Sequence, residues 1–273
     1  MAKINLKAHA KINLFLDILD KREDGYHNIR TVFQEISLAD EIEIKETSAK
    51  SGKISVKTSD PALPSGAGNL AYKAAAAIKK YSGVKKGVEI FIKKNIPVGA
   101  GLGGGSSDAA SVLTGLNRLW KLKLNKKTLC MIGKSLGADV PFFIYGGRCL
   151  GEGIGDILTP LHRKNKEWYV IVYPRFEIST KYVYDQLTER KKKCIITNYC
   201  NKLESVVLPR YPEIGAVKRK LKALGAAHSL MSGSGSCVFG VVKNEKAGKK
   251  IMDSLKGSAY KDWLVHSVGG NSF

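Results

Sequence analysis

An α+β chain of two lobes facing each other across a cleft is what this sequence predicts. Three observations carry the prediction. The 273 residues suffice for one large core or two moderate ones. The first half opens on segments with the two-residue hydrophobic period of strands and continues into helical segments. A turn-rich stretch at residues 151–160 then leads into a second alternation of strands and helices, which reads as a compact α+β unit of its own. The lobes are therefore assigned as residues 1–155 and 156–273.

In KINLFLDI (residues 11–18), the two-residue period gives one face to Ile12, Leu14, Leu16 and Ile18 and the other to Lys11 and Asn13. A turn at 22–25 follows, then Tyr26 and His27, then a segment at 29–36. Residues 40–45 and 53–57 alternate again, as half-exposed strands of one sheet do. The loop at 59–68 is rich in Pro, Ser and Gly and precedes an alanine-rich helix at 69–81, with Asn69 available as its cap. A short strand at 88–93 leads to the glycine-rich segment GAGLGGGSSDAA (99–110), which runs into helices at 107–120 and 126–136. Asp139 stands two residues before Pro141, and proline favours a first helical turn, so the apolar FFIY stretch begins a helix that Gly146 and Gly147 stop. The second lobe offers strands at 168–173, 236–242 and 263–268 and helices at 180–187, 214–224 and 245–255.

Composition removes several classes of function. Hydrophobic content of 44% with 25% charged residues is that of a globular protein, not a disordered or fibrous one. No apolar run approaches the ~20 residues that cross a bilayer, and the alternating N-terminus lacks the continuous apolar stretch of a signal peptide. The expected location is cytoplasmic, without a membrane partner. Cysteines 130, 149, 194, 200 and 237 are scattered, odd in number and never form a Cys-x-x-Cys pair, so neither a zinc site nor a disulfide framework is expected. No histidine pair has helix-spaced ligand geometry. No protein metal-ligand set is assigned; the metal expected is Mg²⁺, held by oxygen ligands and nucleotide phosphates. The net charge of +21 is densest at 190–193 and 218–222 and otherwise spread. With no recognition helix, RNP-like strand or zinc finger, no nucleic-acid partner is expected. Solvated faces or attraction of anionic substrates account for the charge.

The glycine-rich segment is the strongest local signal. Gly99, Gly101 and Gly104 satisfy G-x-G-x-x-G, but the Rossmann unit needs an acidic residue about twenty positions on, and WKLKLNKK (120–127) contains none. The P-loop pattern also fails, because Gly105 stands where its lysine belongs. What remains is a run of N–H groups free to converge on an anion, followed by the positive end of a helix. Ser106 and Ser107 can cap that helix and offer hydroxyls to phosphate or Mg²⁺. Asp108 can hold Mg²⁺ or simply favour the helix N-terminus. Phosphorylating an alcohol needs a carboxylate to take the proton and a cation to neutralise developing charge. Asp139 is the best base candidate and Lys11 the best cation.

The strand bearing Lys11, the glycine loop and the turn SLMSGSGSCVFGV (229–241) together resemble the GHMP-superfamily kinases. Within them, AKINLFLDILDKREDGYHNIRTVFQ (10–34), IPVGAGLGGGSSDAA (96–110) and LGADVPFF (136–143) are similar to the branch that uses ATP to phosphorylate the 2-hydroxyl of a cytidyl diphosphate alcohol in the non-mevalonate isoprenoid pathway. The resemblance spans nearly the whole chain, with a poor fit at 185–212. It implies an N-terminal lobe like the second domain of ribosomal protein S5, a C-terminal ferredoxin-like lobe, and an active site between them.

The resemblance gives Lys11 and Asp139 the catalytic duties already read from their chemistry, and Asn13 the orienting of substrate, although an inward polar residue satisfying backbone groups explains Asn13 equally. It implies that Tyr26 stacks on the cytosine ring, that His27 reads the polar edge, and that Tyr184 and Thr180 line the same pocket. It puts Asn69, Leu70 and Lys94 near the adenosine of ATP, and Pro97, Gly99, Gly101, Gly103, Gly104, Gly105, Ser106 and Ser107 around the nucleotide. Gly233, Ser234 and Gly235 let the second lobe approach the substrate phosphates. A small-molecule enzyme acting as a monomer or weak homodimer is the expectation.

Overall fold

The structure, a computed structural model, describes residues 2–48, 52–162, 165–187 and 199–269. Two long antiparallel strands, β1 (Lys3–Lys21) and β2 (His27–Thr47), form its spine. The predicted segments at 29–36 and 40–45 are one strand. A register shift opposite His9 and Ala10 lets β2 bend past Ser37 and Leu38 without breaking. β3 (Ile54–Thr58), α1 (Leu70–Ser82) and β4 (Gly87–Lys93) follow, giving the order β3-β4-β2-β1. Helices α2 (Gly104–Leu119), α3 (Lys126–Lys134) and α4 (Val140–Tyr145) pack with α1 on this sheet around a core that includes Ile42, Ile44, Leu113 and Phe142.

Residues 151–160, read as a turn-rich divide, are mostly a hairpin. β5 (Arg148–Glu152) pairs with β2, and β6 (Ile157–Pro160) pairs with β5, so the first sheet runs on past residue 155. The glycines that suggest a break, Gly153 and Gly155, sit in the hairpin turn with positive φ.

The second lobe contains β7 (Trp168–Tyr173), α5 (Thr180–Asp185), β8 (Cys200–Asn201), α6 (Glu204–Val207), α7 (Pro212–Ala223), β9 (His228–Met231), β10 (Val238–Val242), α8 (Glu245–Leu255) and β11 (Lys261–His266). Its antiparallel sheet has the order β11-β7-β10-β9. Counted within the lobe this is 4-1-3-2, with helices after the first and third strands: the ferredoxin-like topology that was expected. β8 departs from it and pairs in parallel with β1 of the first sheet. Among the described cysteines, Cys130, Cys149 and Cys237 are free and Cys200 is disulfide-bonded, a pairing the scattered spacing did not foresee. Among the described residues no helix is long and apolar enough to cross a membrane.

One correction to the strand pattern shapes the site. The register shifts between Asn13 and Phe15, so Asn13 lies opposite Phe33 and Leu16 opposite Thr31. Directly opposed residues share a face, and Phe33 and Thr31, two apart, share theirs. Asn13 and Leu16 therefore point the same way. Ile12 and Leu14 pack into the cluster joining β1 and β2 to Tyr169, Ile171 and Phe239 of the second sheet, while Leu16 and Ile18 pack with Ile29 and the second-lobe helices. A bulge re-aims a strand in this way, and here it falls between Asn13, which lines the cleft, and the apolar end of β1.

Candidate active site

A cleft of about 1020 Å³ lies between the lobes. That is at the top of the ~300–1,000 Å³ common for one ligand.

At its floor, the β1 residue Lys11 extends its ammonium to 3.7 Å from the Asp139 carboxylate, which precedes α4. Lys11 is 5% exposed, whereas the Asp139 side chain is 32% exposed. Burial holds the Lys11 pKa below the ordinary lysine value, and Asp139 opposes that shift. Asp139 occupies the N-cap position but makes no side-chain cap hydrogen bond, so its carboxylate is left to the cleft. Lys11 Nζ donates to Asn13 Oδ1 at 2.7 Å, and Asn13 Nδ2 donates to the Thr31 hydroxyl at 2.8 Å.

The glycine segment wraps one side of this floor. Gly99, Gly101, Gly103, Gly104, Gly105 and Ser106 all line the cleft, with Pro97 beside them. Gly101 has φ +78°, and a Cβ there would collide with the carbonyl oxygen of Ser232 in the second lobe. Gly103, with φ +72°, is the N-cap of α2 and approaches Phe143 so closely that a Cβ would come within 2.8 Å of its ring. The helix starts three residues earlier than the serines suggested. Ser107 is consequently inside it, buried, donating to the His9 carbonyl at 2.6 Å, and it does not line the cleft. Its capping role is thereby corrected: the αL glycine ends the loop without a side-chain cap.

Asn69 and Leu70 line the cleft where α1 begins. The Asn69 side chain caps the Ala71 N–H at 2.8 Å and donates to the Pro64 carbonyl at 2.9 Å, so it shapes the 59–68 loop. Lys94 is clamped between Asp108, at 2.8 Å, and Asp40. Burial works against its charge, but the two carboxylates outweigh burial and raise its pKa. Asp108 is pushed upward, chiefly by burial, with Lys94 opposing. Its second oxygen, Oδ1, is buried without a hydrogen-bond partner. Among the described residues no cluster of three or more His, Cys, Asp or Glu could hold a metal ion. Asp108 is engaged by Lys94, and two positions along the helix from it the Ser106 side chain faces another way, so Ser106, which lines the cleft, is the hydroxyl that can join phosphate oxygens around a hard cation.

The opposite end of the cleft is open. Tyr26 is 59% exposed on the β1–β2 turn, where its N–H donates to Asp24 at 3.1 Å. The His27 and Tyr184 rings lie 5.5 Å apart, tilted by 43°. Burial, then Lys21, lowers the His27 pKa. Thr180 and Ser234 share a hydrogen bond of 2.8 Å, joining α5 to the second-lobe turn. Gly233 and Ser234 line the cleft; Gly235 does not, and it packs on Met231 and Ile178.

Two residues that hold this arrangement carried no signal in the sequence. Thr31 sits in β2 beneath Asn13. Asn201 of β8 donates to the carbonyls of Met231, at 2.8 Å, and Gly233, at 2.7 Å, while β8 pairs with β1. It thus ties the second-lobe turn to the strand carrying Lys11. Its strand is two residues long, too short for any periodicity, and lies where the family resemblance was poorest.

Family models match residues 69–147, described as the GHMP kinases N terminal domain, and 190–262, described as GHMP kinases C terminal. A 4-diphosphocytidyl-2-C-methyl-D-erythritol kinase of Geobacter sulfurreducens is 46% identical, covering 98% of this chain and 99% of its own. A crystal structure of 4-(cytidine 5'-diphospho)-2C-methyl-D-erythritol kinase superposes with a TM-score of 0.85 at 32% identity, covering 98% of this chain and 100% of its own. The mevalonate kinase of Methanococcus jannaschii shares the fold alone, with a TM-score of 0.74 at 16% identity, covering 98% of this chain and 99% of its own. With relatives this similar matched end to end, and both lobes matched by kinase models, the chain belongs to the GHMP kinases and, among them, to the 4-diphosphocytidyl-2-C-methyl-D-erythritol kinase family.

Proposed function

We propose that this cleft transfers the γ-phosphoryl group of ATP to the 2-hydroxyl of 4-diphosphocytidyl-2-C-methyl-D-erythritol, giving ADP and the 2-phosphate. The observation that carries the reading is the Lys11–Asp139 pair, 3.7 Å apart at the foot of a glycine loop. As the hydroxyl oxygen forms its bond to the γ-phosphorus, its proton passes to the Asp139 carboxylate and the bond to the β–γ bridging oxygen breaks. The buried Lys11 ammonium offsets negative charge on the attacking oxygen, in surroundings that strengthen electrostatics. The amides at the start of α2 receive the phosphates. Ser106 would hold Mg²⁺ together with those phosphates, and the ion would supply neutralisation of their charge. At the far end Tyr26, His27 and Tyr184 hold the cytosine, with Thr180, Ser234 and Gly233 along the way. On this reading the enzyme works in the cytoplasm, as a monomer or weak homodimer, on small anionic substrates and without nucleic acid.

The test is ATP consumption by purified protein with the cytidyl alcohol, mevalonate and homoserine offered side by side. Turnover with the cytidyl compound alone is the expected result. Comparable turnover of mevalonate or homoserine, with none of the cytidyl compound, would overturn the assignment.

A further inference from the structure

The three side chains under the cleft floor form a chain whose direction is forced. A lysine ammonium only donates, so the atom of Asn13 that meets Lys11 Nζ at 2.7 Å has to be the amide oxygen. The Asn13 nitrogen is then turned toward Thr31 and donates to its hydroxyl at 2.8 Å. That hydroxyl, acting as acceptor, has one proton left, which goes to the Phe15 carbonyl at 2.6 Å. Phe15 lies at the register shift in β1. Thr31 does not line the cleft and is 0% exposed, so no solvent water stands at its hydroxyl.

We propose that Thr31 is a positioning residue for phosphoryl transfer: its hydroxyl fixes the orientation of the Asn13 amide and through it holds the Lys11 ammonium against Asp139. This rests on the reading of Lys11 as the cation of the transfer step. Without the hydroxyl, the Asn13 nitrogen loses its acceptor, and the amide is held from one side only, by the Lys11 ammonium on its oxygen. An amide anchored at one end can swing away from Lys11, which loosens the ammonium's position and, by weakening its hydrogen bond, disfavours its charge. The other groups facing Lys11 stay in place: Asp139 before α4, the Phe33 ring 5.6 Å away on β2, and the backbone of Gly233 from the second lobe.

The experiment compares Thr31→Val, which keeps the shape and removes the hydroxyl, with Thr31→Ser, which keeps the hydroxyl. Thr31→Val should lower kcat ~10-fold, within the ~10²-fold that a small misplacement of a catalytic group costs, with the KM for ATP changed by less than about 2-fold. Thr31→Ser should restore kcat. Titration of Lys11, followed by NMR on lysine-labelled protein, should move to lower pH in Thr31→Val and stay in place in Thr31→Ser. Unchanged kcat and an unmoved Lys11 titration in Thr31→Val would discard the inference, as would a Thr31→Ser variant as impaired as Thr31→Val. Should Thr31→Val not fold, Thr31→Ala carries the same expectations. The lysine titration needs no substrate. A shifted Lys11 in a protein whose wild type ignores the cytidyl alcohol would sink the substrate assignment and leave Thr31 standing.

Discussion

The two ends of the cleft are built on opposite principles. At the transfer end, Lys11, Asn13 and Thr31 are buried in paired strands with their hydrogen bonds closed on one another. At the other end, Tyr26 stands largely in solvent on a turn, and the His27–Tyr184 pair is held by ring contact. The difference matches what the proposed function asks of each end. Stabilising developing charge calls for fixed groups at low dielectric. Holding a flat base calls for an aromatic face and a few polar atoms, which tolerate adjustment. Substitutions at the first end should therefore act on kcat, and those at the second on KM.

The sharpest way to break this contrast is Asp139→Asn. It keeps size and position and removes the proton acceptor, so kcat should fall by ~10²–10⁴, the scale of a lost general base. The KM values for both substrates should stay near wild type. Steady-state kinetics check this, and near-normal kcat would take Asp139 out of the chemistry.

Between the ends lies the glycine loop, where two glycines serve different needs. Gly101 is required by the fold: its φ is positive and the Ser232 carbonyl occupies the place of a Cβ. Gly101→Ala should lower the melting temperature and reduce kcat/KM for ATP by ~10–10²-fold, as strain of about 1–3 kcal/mol at a functional site would. Gly105 has ordinary helical backbone, and a Cβ there meets only Leu70 at 3.6 Å. Gly105→Ala should leave melting unchanged and raise the KM for ATP, because in the proposed function the space it fills belongs to the nucleotide. A KM left at the wild-type value would move the phosphates away from the first turn of α2.

Legibility in the sequence followed the range of the forces involved. Local signals were read well. The Asn69 cap and the Pro141 start and Gly146 stop of α4 all depend on neighbours along the chain. Lys11 and Asp139, 128 positions apart, were paired by chemistry and resemblance together. What escaped depends on distant contacts. The bulge between Asn13 and Phe15 is invisible in a run of alternating residues, and so four apolar side chains assigned to one face are split between two. Ser107 looks like a phosphate ligand or cap until α2 begins at Gly104 and turns its hydroxyl to His9. Thr31 is one of many strand threonines until Asn13 is known to lie over it.

The smallest expected effect tests the open end. His27→Ala should raise the KM for the cytidyl substrate ~10-fold, about 1.4 kcal/mol, the scale of one or two hydrogen bonds to a ligand, with kcat and the KM for ATP little changed. The pH dependence adds a second, independent mark. A neutral imidazole offers one donor and one acceptor and can meet either an acceptor or the amino group of cytosine, whereas the protonated ring offers donors only. Burial and Lys21 depress the His27 pKa from its ordinary 6.5, so the neutral ring persists to lower pH than in a free histidine. The KM for the cytidyl substrate should therefore be flat from pH 8 to below 6.5 and rise only beneath that, while in His27→Ala the acid rise should be absent. Identical acid limbs in the two proteins would show that His27 reads nothing on the base, and the exposed end would then rest on aromatic contact from Tyr26 and Tyr184 alone.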